Sequence, residues 1–255
     1  MGDSMFDISG KLILITGSGR GLGFALAAGM GQAGARVVLN GRDAGRLAEA
    51  EKSLRSGGIQ ACSKRFDVTR EREVDQGILE IERENGPVDV LINNAGVIFR
   101  QPLVDVELEH WQQVLETNLT GAFLCGRSAA RSMIRRRAGK IINICSLLSE
   151  AGRDTVGSYA ASKGGVKMLT KAMAAEWGRY NIQVNGIGPG YFLTDMTRPL
   201  AMDADFDAWL KKSTPMERWG RPEELVGSAI FLASAASNFV TGQIIYVDGG
   251  FLASL

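Results

Sequence analysis

The stretch Thr16-Gly17-Ser18-Gly19-Arg20-Gly21-Leu22-Gly23 joins two different runs of sequence. Residues 12–16 are short and rich in Leu and Ile, as in a buried strand, whereas residues 22–33 form a longer apolar run, as in a helix. A glycine-rich turn between a strand and a helix lets a pyrophosphate approach backbone N–H groups at the helix N-terminus. The stretch therefore predicts a dinucleotide-binding βαβ unit, with a tight turn that binds no ligand as the alternative.

The same alternation of short strands and longer helices continues along the chain. The predicted strands are residues 12–16, 36–40, 59–64, 88–92, 140–145, 182–187 and 244–247. The predicted helices are residues 22–33, 44–56, 70–85, 111–137, 159–179 and 222–233. This pattern predicts an α/β fold: a single-domain, Rossmann-type doubly wound sheet of about seven parallel strands with helices on both faces. The domain is expected to span residues 1–255, with residues 191–215 as a substrate lid.

Composition and charge exclude several classes of protein. The 255 residues carry 29 Lys and Arg against 28 Asp and Glu, which argues against a nucleic-acid partner. The run Arg135-Arg136-Arg137 ends a predicted helix, where cations meet the negative end of the helix dipole. No apolar run approaches the roughly 20 residues of a membrane span, so no membrane partner is expected. Asp3 and Asp7 argue against a signal peptide.

The cysteines and the histidine point away from disulfide and metal chemistry. Cys62, Cys125 and Cys145 are an odd number of thiols without CxxC spacing, which predicts reduced cysteines and a cytoplasmic protein. His110 is the single histidine in the sequence, so a site built on several imidazoles is excluded and no metal is expected. We interpret His110 as a packing or surface residue rather than as the base of a Ser-His-Asp triad.

The end of the second predicted strand indicates which dinucleotide is preferred. The residues there are Asn40-Gly41-Arg42, at a place where an acidic side chain would hold the ribose 2′-hydroxyl of NAD. Asp43 follows, but its position favours capping of the next helix. Arg20 and Arg42 together can hold a 2′-phosphate, which favours NADP(H) over NAD(H). A solvent-facing Arg42 is the alternative.

Three further motifs follow strands of the predicted sheet. They are Asn93-Asn94-Ala95-Gly96 after the fourth strand, Ser146 after the fifth, and Tyr159-Ala160-Ala161-Ser162-Lys163 at the start of a helix. Together with the glycine-rich turn and Pro189-Gly190, their order and spacing over residues 12–250 resemble the short-chain dehydrogenase/reductase family. The resemblance implies an NAD(P)-dependent enzyme that interconverts a secondary alcohol and a ketone.

Tyr159 and Lys163 lie one turn apart and therefore share a helix face. The ammonium of Lys163 is expected to lower the phenol pKa from about 10, which makes Tyr159 a general base. Ser146 is expected to hydrogen-bond the substrate oxygen. The family resemblance adds Asn118, which would hold a water that relays protons to Lys163. An ordinary exposed helix face is the alternative for an isolated Tyr-x-x-x-Lys motif.

The predicted cofactor-binding residues combine the glycine-rich turn with positions that the resemblance supplies. They are Gly17, Ser18, Gly19, Arg20, Gly21, Leu22, Gly23, Asn40, Gly41, Arg42, Asp67, Val68, Asn94, Ala95, Gly96, Tyr159, Lys163, Pro189, Gly190, Phe192 and Thr194. Asp67 as a helix cap and Pro189-Gly190 as a bare turn are the alternatives. Asn93 is interpreted as fixing the sheet rather than touching the ligand.

The sequence around Ser146 narrows the substrate. Residues 143–154, 190–197 and 218–220 are similar to gluconate 5-dehydrogenases, which implies reversible oxidation of D-gluconate to 5-ketogluconate. Glu150 and Arg153 lie just beyond Ser146, so they could meet substrate hydroxyls or a carboxylate. An ion pair between them that shapes the loop is the alternative.

One departure from that resemblance bears on the substrate. Gluconate enzymes of this kind usually carry Gln-Arg-Arg after Asn-Asn-Ala-Gly, whereas this chain reads Val97-Ile98-Phe99-Arg100. Arg100 is the remaining basic substrate candidate, and the substrate could be less charged or simply different. A reductase of 3-oxoacyl thioesters or of another small ketone is the competing enzyme. A catalytically silent dinucleotide-binding scaffold is the non-enzymatic alternative, but it predicts a lost Tyr or Lys.

Assembly is inferred from the same resemblance. Members of the family commonly form tetramers, so a homotetramer is expected alongside the small-molecule substrate. Residues 244–252 are apolar enough to form an edge strand buried against a partner subunit. A final strand that is covered within one subunit is the alternative.

Overall fold

Seven parallel strands form one sheet in the part of the chain that the computed structural model describes, residues 5–254. The strands are β1 (Leu12–Ile15), β2 (Arg36–Gly41), β3 (Ala61–Arg65), β4 (Val90–Asn93), β5 (Gly139–Ile144), β6 (Ile182–Pro189) and β7 (Ile244–Val247). Their order is β3-β2-β1-β4-β5-β6-β7. The chain adds β2 and β3 on one side of β1 and then β4 to β7 on the other side, so the strand order reverses between β1 and β4. The predicted doubly wound fold is confirmed, and its switch point is where such sheets bind ligands.

Helices connect the strands and cover both faces of the sheet. They are α1 (Gly21–Gln32), α2 (Ala44–Ser56), α3 (Glu71–Asn85), α4 (Leu108–Leu115), α5 (Gly121–Arg136), α6 (Gly157–Trp177), α7 (Arg198–Ala201), α8 (Ala204–Ser213) and α9 (Val226–Ala233). Asp43 caps α2, because its carboxylate accepts a hydrogen bond from the backbone N–H of Arg46 at 3.0 Å. The predicted capping role of Asp43 is therefore confirmed.

The alternation of side chains along β1 builds two hydrophobic cores. Ile13 and Ile15 point to one face, where residues of α1, α2 and α9 cover them. Leu12 and Leu14 point to the other face, against residues of α3, α5 and α6. Because β1 is fully buried on both faces, its sequence is continuously apolar rather than alternating.

The two edge strands differ from this pattern. β3 reads Ala61-Cys62-Ser63-Lys64-Arg65 and is only partly buried, and all four residues of β7 are also partly exposed. Near-continuous apolar runs in a parallel sheet predict burial on both faces, and the two edge strands depart from that prediction. An edge strand has one unpaired side, where charged residues such as those of β3 hinder pairing with another chain.

Two regions depart from the predicted helices. The predicted helix over residues 111–137 is divided by a π-helical segment, Glu116–Thr120, between α4 and α5. The predicted lid contains two short helices, α7 and α8, after a turn in which Thr197 accepts and donates hydrogen bonds. Both departures lie beside the carboxyl edge of the sheet.

Some expectations fall on the chain ends. Asp3 and the outermost bounds of the domain at residues 1 and 255 lie outside the described residues. Within residues 5–254, no helix is long and apolar enough to cross a membrane.

Candidate active site

A cavity of about 350 Å³ opens at the carboxyl edge of the sheet. It is lined by every predicted cofactor-binding residue except Ser18 and Gly19, and also by Ser146. Further lining residues that were not among the predicted site residues are Phe66, Val97, Thr117, Ile144, Cys145, Asp195, Met196 and Thr197. The motifs that are scattered over residues 17–197 of the sequence therefore meet at one place.

The glycine-rich turn is held against the end of β4. Gly17 has a φ of +63°, and a Cβ there would lie 2.8 Å from the Cα of Ala95, so a side chain does not fit. Asn94 donates from Nδ2 to the carbonyl oxygens of Thr16 and Gly17 at 2.9 and 3.0 Å. Thr16 Oγ1 accepts from the backbone N–H groups of Asn94 and Ala95. The side chain of Asn94 thus stabilises the conformation of the glycine-rich turn.

Ser18 and Gly19 differ from the rest of the predicted cofactor set. The Ser18 hydroxyl is fully buried, donates to the Ile15 carbonyl at 2.7 Å and accepts from the Asn40 N–H at 3.0 Å. A Cβ on Gly19 would meet the side chain of Arg46 at 3.3 Å. In the described chain neither residue lines the cavity, because Ser18 joins β1 to β2 and Gly19 packs on α2.

The ends of β2 and β3 form the second part of the cavity wall. Asn40 donates from Nδ2 to the carbonyls of Lys64 and Phe66, both at 3.1 Å, and so ties β2 to β3. Asp67 accepts at Oδ1 from the N–H and hydroxyl of Thr69, both at 2.9 Å. Asp67 thus closes a turn with Thr69 and also lines the cavity. The helix-cap alternative is wrong, because α3 is capped at Arg70 without a side-chain hydrogen bond.

Arg20 and Arg42 lie on the same cavity with their charges exposed. The Arg42 side chain is 61% exposed, and its Nη1 lies 3.7 Å from Asp67 Oδ2, a long and solvated ion pair. Arg20 is also exposed and precedes α1. Both guanidinium groups are thus free enough to meet an anion.

The wall of the cavity fits a dinucleotide phosphate. Gly21 has a φ of +59°, and a Cβ there would meet no atom within 4 Å, so the backbone beside the start of α1 is open. Asn40 Oδ1 is buried without a partner in residues 5–254, although its residue lines the cavity. An open helix N-terminus suits a pyrophosphate, and an unpaired buried acceptor suits a ligand donor. The residues present therefore fit the dinucleotide.

Lys163 lies on α6 beneath the floor of the cavity. Its side chain is only 4% exposed, and Nζ donates to the carbonyl of Ile144 at 2.6 Å. Burial lowers the pKa of Lys163 to about 8. The ammonium is thus anchored to the end of β5, next to Ser146.

Tyr159 lies one turn earlier on the same face of α6, and the Lys163 Nζ is 5.6 Å from the centre of its ring. Burial raises the pKa of Tyr159 to about 12, and hydrogen bonding to Ser146 and the charge of Arg100 offset only part of this rise. The predicted lowering of this pKa is therefore wrong, because the ammonium points to the Ile144 carbonyl and desolvation dominates. At neutral pH the phenol keeps its proton.

Ser146 occupies the turn that leaves β5. Its Oγ accepts from the Leu148 N–H at 3.1 Å, and its own N–H donates to Ser149 Oγ at 3.2 Å. Ser149 in turn donates to the Lys163 carbonyl at 2.9 Å. Ser146 is therefore fixed to α6 at the position from which its hydroxyl reaches Tyr159.

Asn118 lies in the π-helical segment and is 2% exposed. It pairs with the backbone of Val97 in both directions, at 2.8 and 3.0 Å, and also donates to Ser162 Oγ at 3.0 Å. Segments of π-helix often mark functional sites because they re-aim a side chain. Asn118 does not line the cavity in the described structure, so its direct role is joining the loop after β4 to α6.

Asn93 forms hydrogen bonds inside the sheet through its amide nitrogen. Its Nδ2 donates to Asn143 Oδ1 at 2.9 Å and to the Ala122 carbonyl at 3.2 Å. This supports its interpretation as a residue that fixes the sheet. His110 stacks on Phe99 with ring centres 4.5 Å apart, as expected for a packing residue.

Glu150 is held by the scaffold rather than by Arg153. Lys167 Nζ donates to both carboxylate oxygens at 2.6 and 2.5 Å, and the Tyr246 hydroxyl donates at 2.6 Å. The alternative of an ion pair between Glu150 and Arg153 is wrong, because Glu150 pairs with Lys167 and the described acidic side chain nearest to Arg153 is that of Asp154. The predicted substrate contact of Glu150 is not supported, because its carboxylate is already bound by α6 and β7.

Arg100 lies close enough to Tyr159 and to Arg153 to interact with both electrostatically, but neither arginine is among the residues that line this cavity in the described chain. Desolvation and the nearby charge of Arg153 lower the pKa of Arg100, while Tyr159 and Tyr191 act in the opposite direction. Arg153 has one acidic neighbour within 4 Å among residues 5–254, Asp154, at 3.8 Å and 89% exposed. Two guanidinium groups are therefore near each other, one of them near Tyr159, and Arg153 has no acidic side chain closer than 3.8 Å in the described chain.

The end of β6 forms the remaining part of the cavity wall, where the predicted lid segment begins. Gly190 packs so closely on the chain after β7 that a Cβ would lie 2.6 Å from the Asp248 Cα. Pro189 and Phe192 line the cavity, and the Thr194 hydroxyl lies 3.1 Å from Thr197 Oγ1. Pro189-Gly190 is thus part of the cavity rather than a bare turn.

Four residues with supporting roles were missed from the sequence: Thr16, Ser149, Ser162 and Lys167. Each forms a hydrogen bond to a predicted site residue or to its backbone. Three of them had a usable signal, since Thr16 begins the glycine-rich stretch, Ser162 lies inside the Tyr-x-x-x-Lys motif and Lys167 lies one turn after Lys163. The site as a whole combines a dinucleotide cavity with a protonated phenol, a hydroxyl and a buried ammonium, a set suited to exchanging a proton with an alcohol or ketone.

The chain is similar to known proteins over nearly its whole length. The family model described as enoyl-(acyl carrier protein) reductase matches residues 17–252. The 5-keto-D-gluconate 5-reductase of Escherichia coli strain K12 is 50% identical over 253 residues, covering 99% of this chain and 100% of that protein. A structure described as a putative gluconate dehydrogenase from Agrobacterium tumefaciens superposes with a TM-score of 0.97 at 52% identity, covering 99% and 100% of the two chains. A gluconate 5-dehydrogenase from Burkholderia cenocepacia, in complex with NADP and tartrate, gives a TM-score of 0.96 at 48% identity and 98% coverage of both chains.

Proposed function

Because the chain belongs to the short-chain dehydrogenase/reductase family, we propose that it interconverts D-gluconate and 5-keto-D-gluconate with NADP(H) as cofactor. Membership makes the protein an NAD(P)-dependent oxidoreductase of alcohols and ketones. Relatives that match over nearly the whole chain carry sugar-acid names, and these rather than the description of the family model support the substrate.

The observation that carries the substrate proposal is the pair Arg100 and Arg153. Burial and the charge of Arg153 lower the pKa of Arg100. Two positive groups near each other, without a close carboxylate in the described chain, are stabilised by an anion between them. Guanidinium groups bind carboxylates through charge-assisted, often bidentate hydrogen bonds. The Gln-Arg-Arg run expected from related enzymes is thus replaced by Arg100 together with Arg153, which keeps a place for a sugar-acid carboxylate.

The chain's own residues supply the acid–base part of the reaction. NADP(H), when bound, supplies or accepts the hydride. For ketone reduction, the protonated Tyr159 donates its proton to the substrate oxygen, which Ser146 holds by a hydrogen bond. The buried ammonium of Lys163 favours the phenolate that remains. Asn118 fixes the loop after β4 against α6 and so keeps Tyr159 and the cavity wall in register.

The proposed preference for NADP(H) rests on Arg20 and Arg42. Both line the end of the cavity near β2, where the chain has Asn40 and Gly41 rather than a carboxylate. A carboxylate would bind the ribose 2′-hydroxyl of NAD, whereas two guanidinium groups attract a 2′-phosphate.

Arg42→Ala is expected to change the cofactor preference. The variant should lose about tenfold in kcat/KM for NADPH, because a charge-assisted hydrogen bond is worth about 1.5 kcal/mol or more, and should change little with NADH. Steady-state kinetics with both cofactors measures this ratio. Arg55→Ala, an exposed arginine at the end of α2, is the control. An unchanged NADPH to NADH ratio in Arg42→Ala would show that this residue does not read the phosphate.

The two directions of the reaction should respond differently to pH. Tyr159, with a pKa of about 12, remains a proton donor throughout the neutral range, so ketone reduction should vary little below about pH 8. Oxidation needs the phenolate, whose fraction grows about tenfold per pH unit below that pKa. Lys163, with a pKa of about 8, loses its charge above that value, and the rise in oxidation should then become shallower. Initial rates in both directions from about pH 6 to about pH 10 test this, and oxidation that falls between pH 6 and pH 8 would contradict it.

A substrate panel tests the proposed function itself. The protein is expected to reduce 5-keto-D-gluconate with NADPH and to oxidise D-gluconate with NADP⁺, and to be much less active on acetoacetyl thioesters. L-Sorbose and D-glucitol, which replace the carboxylate with a hydroxymethyl group, should be weak substrates. Turnover of a thioester with no activity on sugar acids would favour the competing ketone reductase. The silent scaffold predicts no turnover of any compound, although both Tyr159 and Lys163 are present.

We further propose a cytoplasmic homotetramer in which β7 is covered by a partner subunit. The free thiols of Cys62, Cys125 and Cys145 fit a reducing compartment. β7 lies at the edge of the sheet with Ile244, Ile245 and their neighbours partly exposed, which suits an interface between copies. Light scattering gives the mass, and a monomer in solution would overturn the assembly.

A further inference from the structure

Arg153 lies in a cluster of aromatic rings. Its guanidinium carbon is 4.5 Å from the ring centre of Phe206, 5.2 Å from that of Trp209 and 5.9 Å from that of Tyr191. Its Nη1 donates to the Tyr191 hydroxyl at 2.8 Å. Aromatic faces are negative, so they attract a guanidinium without neutralising it.

The rings come from separate parts of the chain and pack on one another. We call these five rings the aromatic box: Tyr191, Phe206, Trp209, Trp219 and Phe251. Tyr191, which follows β6, makes edge contacts with the other four at centre distances from 5.6 to 6.1 Å. The Trp219 Nε1 donates to Asp207 Oδ1 at 2.8 Å, which fixes α8 to the chain that follows it.

The aromatic box connects the predicted lid to the loop beyond Ser146. Phe206 and Trp209 belong to α8, whereas Arg153 belongs to the loop between β5 and α6. The other end of that loop is tied down by the bonds of Glu150 to Lys167 and Tyr246. Arg153 is therefore the point at which α8 meets a loop whose start is fixed to the scaffold.

The guanidinium of Arg153 is held in place, but its positive charge is only weakly compensated among the described residues. Its acidic neighbour among the described residues, Asp154, is 3.8 Å away and almost fully exposed, so the attraction is weak in water. The Arg153 side chain is still 28% exposed. A guanidinium that is oriented by rings and lacks a close carboxylate is prepared to bind an anion.

We propose that the aromatic box positions Arg153 for the substrate carboxylate, so that closure of α8 and recognition of the carboxylate are one event. Phe206, Trp209 and Tyr191 are positioning residues, because they act through Arg153 rather than on the reacting atoms. This inference rests on the proposed function for its substrate, a sugar acid. The aromatic box connects α8 to the same guanidinium that is proposed to bind the acid.

Substitutions at Trp209 test the positioning role by comparing two substrates. In the holoenzyme, Trp209→Leu is expected to raise KM for 5-keto-D-gluconate about tenfold or more with little change in kcat, and to leave kcat/KM for L-sorbose within about twofold of wild type. Trp209→Phe keeps an aromatic face and should restore the wild-type KM. If Trp209→Leu does not fold, Phe206→Leu takes its place. An equal effect on both substrates, or no effect on either, would overturn the proposal.

A second measurement is independent of the substrate. In the NADP-bound protein, Arg153→Met is expected to speed amide hydrogen exchange over residues 204–213 about tenfold, because α8 loses its contact with the loop. Arg72→Met, an exposed arginine on α3, is the control. Unchanged exchange in α8 would overturn the coupling. If the wild-type protein turned over no sugar acid, the proposed function would fail, whereas this exchange measurement would still decide whether Arg153 and the box hold the lid.

Discussion

Tyr159→Phe should lower kcat at least about 100-fold in both directions, since general acid–base catalysis contributes about 10² to 10⁴ in rate. The substitution removes one oxygen, the group that exchanges a proton with the substrate, and leaves the ring packed between Ser146 and Lys163. Cofactor affinity should stay nearly unchanged, because the rest of the cavity wall is untouched. Steady-state kinetics and an NADPH fluorescence titration measure the two quantities separately.

The control for this experiment is Tyr180→Phe, which removes a hydroxyl from a tyrosine in the short turn after α6, outside the residues that line the cavity. It should keep wild-type kcat. Retention of more than a few per cent of wild-type kcat in Tyr159→Phe would contradict the role of Tyr159. A large loss of NADPH affinity would instead show that the phenol mainly holds the cofactor.

Arg100→Met should lower kcat/KM for 5-keto-D-gluconate about tenfold to 100-fold, because a hydrogen bond to a charged group is worth about 1.5 to 3 kcal/mol. Methionine keeps most of the side-chain length and removes the positive charge of Arg100, leaving that of Arg153 in place. The pKa of Tyr159 should rise further, because Arg100 is one of the groups that lower it. Kinetics with 5-keto-D-gluconate and with L-sorbose measures the carboxylate-dependent part of the loss.

L-Sorbose is the internal reference for Arg100→Met, since it has the same ketone without the carboxylate. Its kcat/KM should fall much less than that of the sugar acid. Arg72→Met, far from the cavity on α3, should affect neither substrate. Equal losses on both substrates would assign Arg100 to the chemistry of the ketone rather than to the carboxylate.

The fold was predictable because its signals are local. The apolar runs, the glycine-rich turn and the cap at Asp43 each depend on a few neighbouring residues, and the observed sheet agrees with them. The π-helical segment was missed because residues 111–137 keep a helical pattern throughout. The run Glu116–Thr120 contains two threonines and an asparagine, which are poor helix formers, and this was the available signal.

Most of the residues that form the site were predictable from the sequence, but the pKa of Tyr159 and the ion-pair partner of Glu150 were not. The position of Tyr159 and Lys163 on one helix face followed from their spacing, whereas the direction of the phenol pKa depends on burial and on where the ammonium points. The partner of Glu150 could not be read from the sequence, because Lys167 and Tyr246 meet it from α6 and β7. The aromatic box likewise draws its rings from positions 191 to 251, which only the tertiary fold brings together.

The central claim is that this protein transfers a hydride between NADP(H) and C5 of a sugar acid. Reduction of 5-keto-D-gluconate with NADPH deuterated at nicotinamide C4, followed by NMR of the product, tests it most directly. The account predicts D-gluconate that carries deuterium at C5. A product without deuterium at C5, or no reduction of 5-keto-D-gluconate while another ketone is labelled, would contradict it.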